Sequence, residues 1–329
     1  MKEIIMRATR TTYTIPLTPV AGDRFQPTGF PDLGPAEFSR WDADRKDWVN
    51  ALHVESPQSM ANRLEATTWL EGEDVQPSVL EGLPYVQVVE ERDGEDAFVT
   101  CSRREAHRLA SAYVMNAVTE TGETGRDWLM AELGAGKDDP ANRYHQVHRA
   151  VLRMDPLSLV HGVFFAQKDF GWQPKVARAV TSFIDATNVR PAHSGGVKTD
   201  VVRTTASEGA GSKEGYGMVP HQRLEFTAEK ITAYVTVDHE QIRSYALGDE
   251  GTELLESLVE YELAVLFSGG LRLRTACDFQ VITEEVLVSG EEGALPQVDT
   301  AEKRVRAAIE AARGAGLLGD VTTLRKVAR

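Results

Sequence analysis

Cysteine is nearly absent: only Cys101 and Cys277 occur in 329 residues. Two cysteines cannot build a disulfide framework, and neither stands near a histidine in the pattern of a thiol nucleophile. Long apolar runs are missing as well. The longest, Leu157 to Ala166, is broken by His161 and falls well short of the roughly 20 residues that a bilayer span needs. Met1 to Leu17 holds no apolar stretch ahead of a cleavage site, so the expectation is a cytoplasmic protein with no membrane partner. Basic charge is in deficit, with 36 Lys+Arg against 50 Asp+Glu and a formal net charge of −14. That excludes a uniformly basic nucleic-acid coat.

Signatures of catalysis are equally thin. Gly134-Ala-Gly-Lys137 approaches a phosphate loop, but Ala131 stands where the leading glycine belongs and Asp138 where Ser or Thr belongs. No Gly-x-Ser-x-Gly elbow occurs. His145 and His148 are close enough on a helix to share a metal, yet no neighbouring Cys or further His completes a shell. No cofactor, metal or catalytic residue is therefore expected.

What is present is the composition of a folded chain, 42% hydrophobic and 26% charged, enough for a sizeable core in one large domain or two smaller ones. Charge is unevenly spread. Residues 71–96 carry nine acids and one base, Arg92, whereas residues 303–329 carry seven bases and two acids. The acidic block from Glu90 to Asp96 reads as a solvated turn or as a contact for a basic partner. The tail, helical in pattern from Thr300 to Arg313, docks on the body or hangs free, its bases in solvent or on a phosphate backbone.

Periodicity gives the elements. Tyr13, Ile15 and Leu17 alternate within Thr12 to Pro19, and Pro16 and Pro19 place that strand at an edge. Ser56 caps a helix running to Trp69, with Pro57 in its first turn and Ser59, Asn62 and Arg63 off its apolar face. Tyr85–Val89 and Phe98–Cys101 read as strands, Arg104–Asn116 as a helix, and 119–142 as a polar glycine-rich stretch. Leu157–Ala166 reads as a buried strand, Lys175–Thr187 as a helix and Leu224–Val237 as a long strand. Thr252–Phe267 is a helix and Leu271–Ile282 a strand. Strand and helix at the start, and strand, helix, strand at the end, imply an α+β, split βαβ, ferredoxin-like antiparallel sheet. We read one domain over 1–329, with an insertion at 71–150, a glycine-rich insertion at 190–222 that is sparsest in pattern over 204–217, and a basic helix and tail at 300–329.

The remaining polar, glycine-rich places are candidates for holding a phosphodiester chain. The N-terminus of the Ser56 helix offers backbone N–H groups, with Ser59, Asn62 and Arg63 as further donors, or is simply capped. In His193-Ser-Gly-Gly-Val-Lys-Thr-Asp200, Gly195 and Gly196 permit close backbone approach and Lys198 supplies a point charge, or the segment is a turn. Gly269-Gly-Leu-Arg-Leu-Arg274 sets Arg272 and Arg274 on one face of a strand.

Five blocks in order carry a resemblance: Arg24 to Gly34, Glu55 to Glu65, Asp155 to Phe165, Ser194 to Asp200 and Gly270 to Asp278. Over about Tyr13 to Val281 the chain closely resembles the backbone subunit of type I-U (I-G) CRISPR interference complexes, of the RAMP superfamily. The resemblance implies an RRM-like palm with inserted finger and thumb elements, and a non-catalytic subunit that polymerises along a CRISPR guide RNA. It implies RNA contacts at Arg24, Gln26, Ser56, Gln58, Ser59, Asn62, Arg63, Ser194, Gly195, Gly196, Lys198, Arg223, Arg272 and Arg274. Implied partners are the guide RNA, the target DNA strand paired with it, copies of this chain head to tail, and the large and guide-processing or end-capping subunits. The insertion 71–150 and segment 204–217 are candidate arms toward the next subunit or the guide. Two departures stand out. Gln222 rather than a histidine precedes Arg223, with His221 one place earlier, and Asp23 and Asp32 lie where type III relatives carry a cleaving aspartate. A metal-dependent RNA endonuclease using Asp23 or Asp32 is the alternative, and a small-molecule enzyme using His145, His148 or His161 a third reading.

Overall fold

In the computed structural model, which describes residues 8–30, 33–139, 143–198 and 219–327, the alternation of Tyr13, Ile15 and Leu17 makes β1 (Arg10–Pro19), with Ile15 and Leu17 buried. Two short strands, β2 (Gly29–Phe30) and β3 (Gly34–Pro35), precede the hairpin of β4 (Glu37–Asp42) and β5 (Asp47–Glu55). α1 (Pro57–Ala66) follows directly. The middle of the chain supplies β6 (Val86–Arg92), β7 (Glu95–Cys101), α2 (Ala112–Asn116), α3 (Gly125–Leu133), α4 (Tyr144–Met154) and α5 (Leu157–His161). A two-residue ladder joins β8 (Val163–Phe164) to β9 (Lys175–Val176). Next come β10 (Val180–Thr187), β11 (Arg190–Lys198), β12 (Val219–Thr227) and β13 (Lys230–Asp238). The chain continues through α6 (His239–Ser244), α7 (Gly248–Ser268), β14 (Leu271–Arg274) and β15 (Cys277–Val281). It closes with β16 (Leu287–Val288), β17 (Glu291–Glu292), α8 (Val298–Gly314) and β18 (Thr322–Arg325).

The architecture is α+β, on an antiparallel main sheet of order β14-β15-β1-β13-β10-β5-β4, with β16 on β1 and β17 on β16. β1 is thus interior, against the edge position its prolines suggested. One side pairs β13 from Arg10 to Leu17, and the other passes from β16 at Tyr13–Thr14 to β15 at Leu17–Pro19. The Pro16 carbonyl faces that switch, accepting from Ile282 N at 2.9 Å, so the missing N–H interrupts no continuous ladder.

Other sequence expectations fail for identifiable reasons. Leu157–Ala166 is a fully buried helical turn ending at Gly162 and then β8, since an all-apolar run does not distinguish buried helix from buried strand. Lys175–Thr187 is β9 and β10 rather than a helix. The buried positions of β10 are Val180, Ser182, Ile184 and Ala186, a period of two that the polar Ser182 conceals. Arg104–Asn116 is helical only over α2 and one 3₁₀ turn, because Arg108 takes φ 50°. Leu224–Val237 breaks between β12 and β13, and Leu271–Ile282 is the hairpin β14–β15, turned at Ala276 with φ 60°. The stretch 119–142 also contains α3, started by Thr124 and ended by left-handed Gly134.

α1 packs on β10 and α7, and α7 in turn carries α8. Leu80, Val88, Leu109, Leu129 and Val147 from the middle of the chain belong to the same buried cluster as Ile15 and Ala233. The two opposite charge clusters meet. β18 lies parallel to β6, Lys326 Nζ donates to Glu90 at 2.6 Å and Arg325 makes a two-pronged contact with Asp96. Arg304 on α8 holds Glu253 at 2.7 Å and also Glu260 on α7. The tail docks, and its basic side chains answer the acidic block.

Candidate nucleic-acid interface

Ser56 leaves the extended strand β5 with φ −80° and ψ 157°, and its Oγ accepts from Ser59 N at 3.2 Å. Pro57, lacking an N–H, occupies the first helical position at no cost. The helix then divides by face. Met60, Ala61, Leu64 and Glu65 are buried, while Gln58 and Asn62, four apart and hence on one side, are exposed.

Between these faces, Ser59 and Arg63 turn toward Glu55, which is 1% exposed. Ser59 Oγ donates to Glu55 Oε1, Arg63 Nε approaches the same oxygen at 3.3 Å, and Arg274 pairs with Oε2. Arg63 also donates to the carbonyls of Arg272, at 3.4 Å, and Leu273. Burial pulls its pKa below the ordinary arginine value. Arg274 Nη1 donates to Gln26 O at 2.9 Å and Val54 O at 3.3 Å. Three of the expected RNA contacts, Ser59, Arg63 and Arg274, thus share one buried carboxylate. Arg272 lies beside them with its side chain exposed and engages no carboxylate among the described residues.

The second group lies on a ribbon. β11 and β12 pair Ser194 with Arg223, Gly195 with Gln222, Gly196 with His221 and Lys198 with Val219. They continue the β10–β13 pair outward, and nine residues at roughly 3.3 Å each make an arm of about 30 Å. Gly195 and Gly196 are exposed on it. Segment 204–217 lies outside the described residues, as does Asp32. At the root of the ribbon Phe25 and Phe226 exchange backbone hydrogen bonds, both 2.9 Å, and flanking Arg24 pairs with Glu225 at 3.3 Å. Gln26, on the other flank, is the residue whose carbonyl Arg274 holds. The α1 group and the ribbon group are therefore joined through Arg274, Gln26 and Phe25.

Sequence reasoning missed Arg178. It precedes β10, and its Nη2 donates to Gln58 Oε1 at 2.5 Å and its Nη1 to Pro57 O at 3.4 Å, so it closes the N-terminal end of the strip. No signal marked it while the segment read as a helix.

The groups considered for catalysis are dispersed. Asp23 is exposed, and no cluster of three or more His, Cys, Asp or Glu able to hold a metal occurs among the described residues. His145 is exposed, and His148 packs on Tyr245 with ring centroids 4.5 Å apart, burial lowering its pKa. His161 is buried, with Nε2 2.8 Å from Glu262 Oε1. Burial opposes its charge, but Glu262 and then Glu65 outweigh that and hold its pKa above the ordinary value. Both thiols are buried and pushed up to about 11. No helix among the described residues is long and apolar enough to cross a membrane.

A family model described as CRISPR-associated protein GSU0053 matches residues 12–191, more than half of the chain. No curated protein matches it. Among solved structures, one described as "CRISPR RNA-guided surveillance complex, pre-nicking" is similar at 11% identity and a TM-score of 0.39, covering 96% of both chains. Thermofilum pendens Csc2 is similar at 12% identity and a TM-score of 0.33, covering 95% of this chain and 79% of that one.

Proposed function

The chain belongs to the CRISPR-associated GSU0053 family, and from that premise we propose that it is a non-catalytic backbone subunit that binds CRISPR RNA in a type I-U (I-G) DNA-targeting surveillance complex. The observation that carries this reading is continuity. Exposed Gln58 and Asn62 run along α1 with Arg178 at its N-terminal end and exposed Arg272 beside Arg63, and contacts made by Arg274 and Gln26 join this helix to Arg24 and the β11–β12 ribbon. Donors strung along a groove hold phosphates without reading bases, and pairing by the guide supplies sequence. A chain of net charge −14 needs only such a local strip, and its acidic remainder disfavours stray nucleic acid. The antiparallel sheet serves as an RRM-like palm, with the ribbon as its thumb. Copies stacked head to tail through an interface that does not close make a filament whose length the guide limits, met by the target DNA strand and by the large and end-capping subunits.

The test is size-exclusion chromatography of the protein with its cognate guide RNA and partner subunits, reading absorbance at 260 and 280 nm. The expected result is a large particle that shrinks under ribonuclease. Elution as RNA-free protein from that mixture overturns the reading. The endonuclease alternative, with Asp23 or Asp32 as the metal-binding aspartate, predicts RNA cleavage that Asp23→Ala or Asp32→Ala abolishes; the backbone reading predicts no cleavage to lose and unchanged assembly.

A further inference from the structure

A cleft of about 650 Å³ opens between the turn at 106–112 and the β8–β9 ladder, with Arg178 at its edge. Its floor is set by Gly162, φ 80°, where an added Cβ would stand 2.9 Å from Val176 O, so only glycine lets β9 lie this close. Arg108 Nη1 holds the Gly162 carbonyl at 3.0 Å while its Nε and Nη2 clamp Glu65 at 2.6 and 2.7 Å, so its charge is already matched. The unmatched charge comes from Lys175 and Arg178, and exposed His107 lies on the rim. Among the described residues no carboxylate lines the cleft, although acids outnumber bases in the chain.

Two further features suit it to a nucleotide rather than a bare anion. Phe164 is 47% exposed, an unusual position for a phenyl ring, and Lys175 Nζ lies 5.6 Å from its centroid. In the wall, two buried polar atoms have no partner among the described residues: Nδ1 of His161, whose side chain is fully buried, and Oε1 of Gln167. Native interiors rarely leave such atoms unpaired unless a ligand or water completes them.

We propose that this cleft takes one unpaired nucleotide of a single-stranded RNA, its base against Phe164 and its phosphate held by Lys175 and Arg178. This rests on the RNA-binding reading and extends it: Arg178, which also touches Gln58, carries the strand from the strip on α1 into the cleft. Aromatic stacking holds any base, whereas the lysine contributes through the phosphate alone.

The test is fluorescence anisotropy of the full chain with a labelled oligouridine of about 16 nucleotides, the upper end of what one OB fold covers. Phe164→Ala is expected to weaken binding about five-fold or more, and Phe164→Trp to retain it. Lys175→Ala should reduce the slope of log affinity against log salt by about 0.7. Should Phe164→Ala fold poorly, irradiation of the wild-type protein with a 4-thiouridine oligonucleotide decides, since a cross-link within residues 162–168 is expected. Wild-type binding with an unchanged affinity for Phe164→Ala, an unchanged slope for Lys175→Ala, or cross-links only elsewhere overturns the cleft and leaves the RNA-binding reading standing. Absence of wild-type binding, both to the oligouridine and to the guide in the assembled complex, removes both.

Discussion

The two faces of α1 use arginine in opposite ways. Inside, Glu55 at the start of the helix and Glu65 near its end are 1% and 6% exposed, and each meets a guanidinium from a distant part of the chain. Arg63 and Arg274 gather on Glu55, and Arg108 clamps Glu65. Outside, Gln58 and Asn62 are flanked by Arg178 and by Arg272, neither of which meets a carboxylate among the described residues. A buried carboxylate cannot tolerate losing its cation, so the inner arginines fasten the helix to the body. The outer ones carry charge that no described neighbour neutralises. Which role an arginine has is decided by the burial of the nearest carboxylate, and not by its spacing along the sequence.

Breaking the inner side should have the largest effect. Arg108→Met leaves Glu65 buried without its partner and should cost about 3–5 kcal/mol in denaturant unfolding. Arg274→Met removes charge-assisted hydrogen bonds to Glu55 and two carbonyls from a position that is 25% exposed, and should cost less, about 1.5–3 kcal/mol. Adding Glu55→Gln to Arg274→Met should recover part of that loss, because the carboxylate left behind is most of the damage. The outer side should behave in reverse. Arg272→Ala and Asn62→Ala should shift stability by no more than about 0.5 kcal/mol, while Arg272→Ala lowers the salt slope of RNA binding by about 0.7. An Arg272→Ala protein with wild-type RNA affinity and slope would erase the distinction between the faces.

The comparison also marks what the sequence makes legible. α1 could be read because its signals are local: Ser56 caps, Pro57 starts, and apolar residues recur at helical spacing. α7, α8 and β1 follow from periodicity in the same way. The partners of Glu55 could not be read, since Arg63 and Arg274 look alike on paper to Arg272 and only the fold shows which of them meets a buried acid. Arg178 was hidden by a misread period, and the His161 wall by an apolar run that fits helix and strand equally. The union of the 90–96 acids with the basic tail is likewise tertiary, set by the parallel pairing of β18 with β6. Expectations for Asp32 and 204–217 fall on residues outside those described.

The smallest effect expected is in thiol chemistry, where the two cysteines report on different regions. Cys277 receives a contact from Arg274 Nη1 at 3.2 Å and so belongs to the Glu55 cluster, whereas Cys101 ends β7 in the second sheet. Burial pushes both up to about 11, so at pH 8 both are almost wholly protonated and labelling must wait for the structure to open. Both should therefore resist a neutral thiol reagent in the native protein, and faster reaction should measure opening. Arg274→Met lowers global stability as well as removing the contact to Cys277, so it should accelerate Cys277 more than Cys101. Arg108→Met lowers global stability and should accelerate both. Equal acceleration of the two cysteines by Arg274→Met would mean that the Glu55 cluster opens only with the whole molecule, and that the inner face of α1 is one cooperative unit rather than two separate clamps.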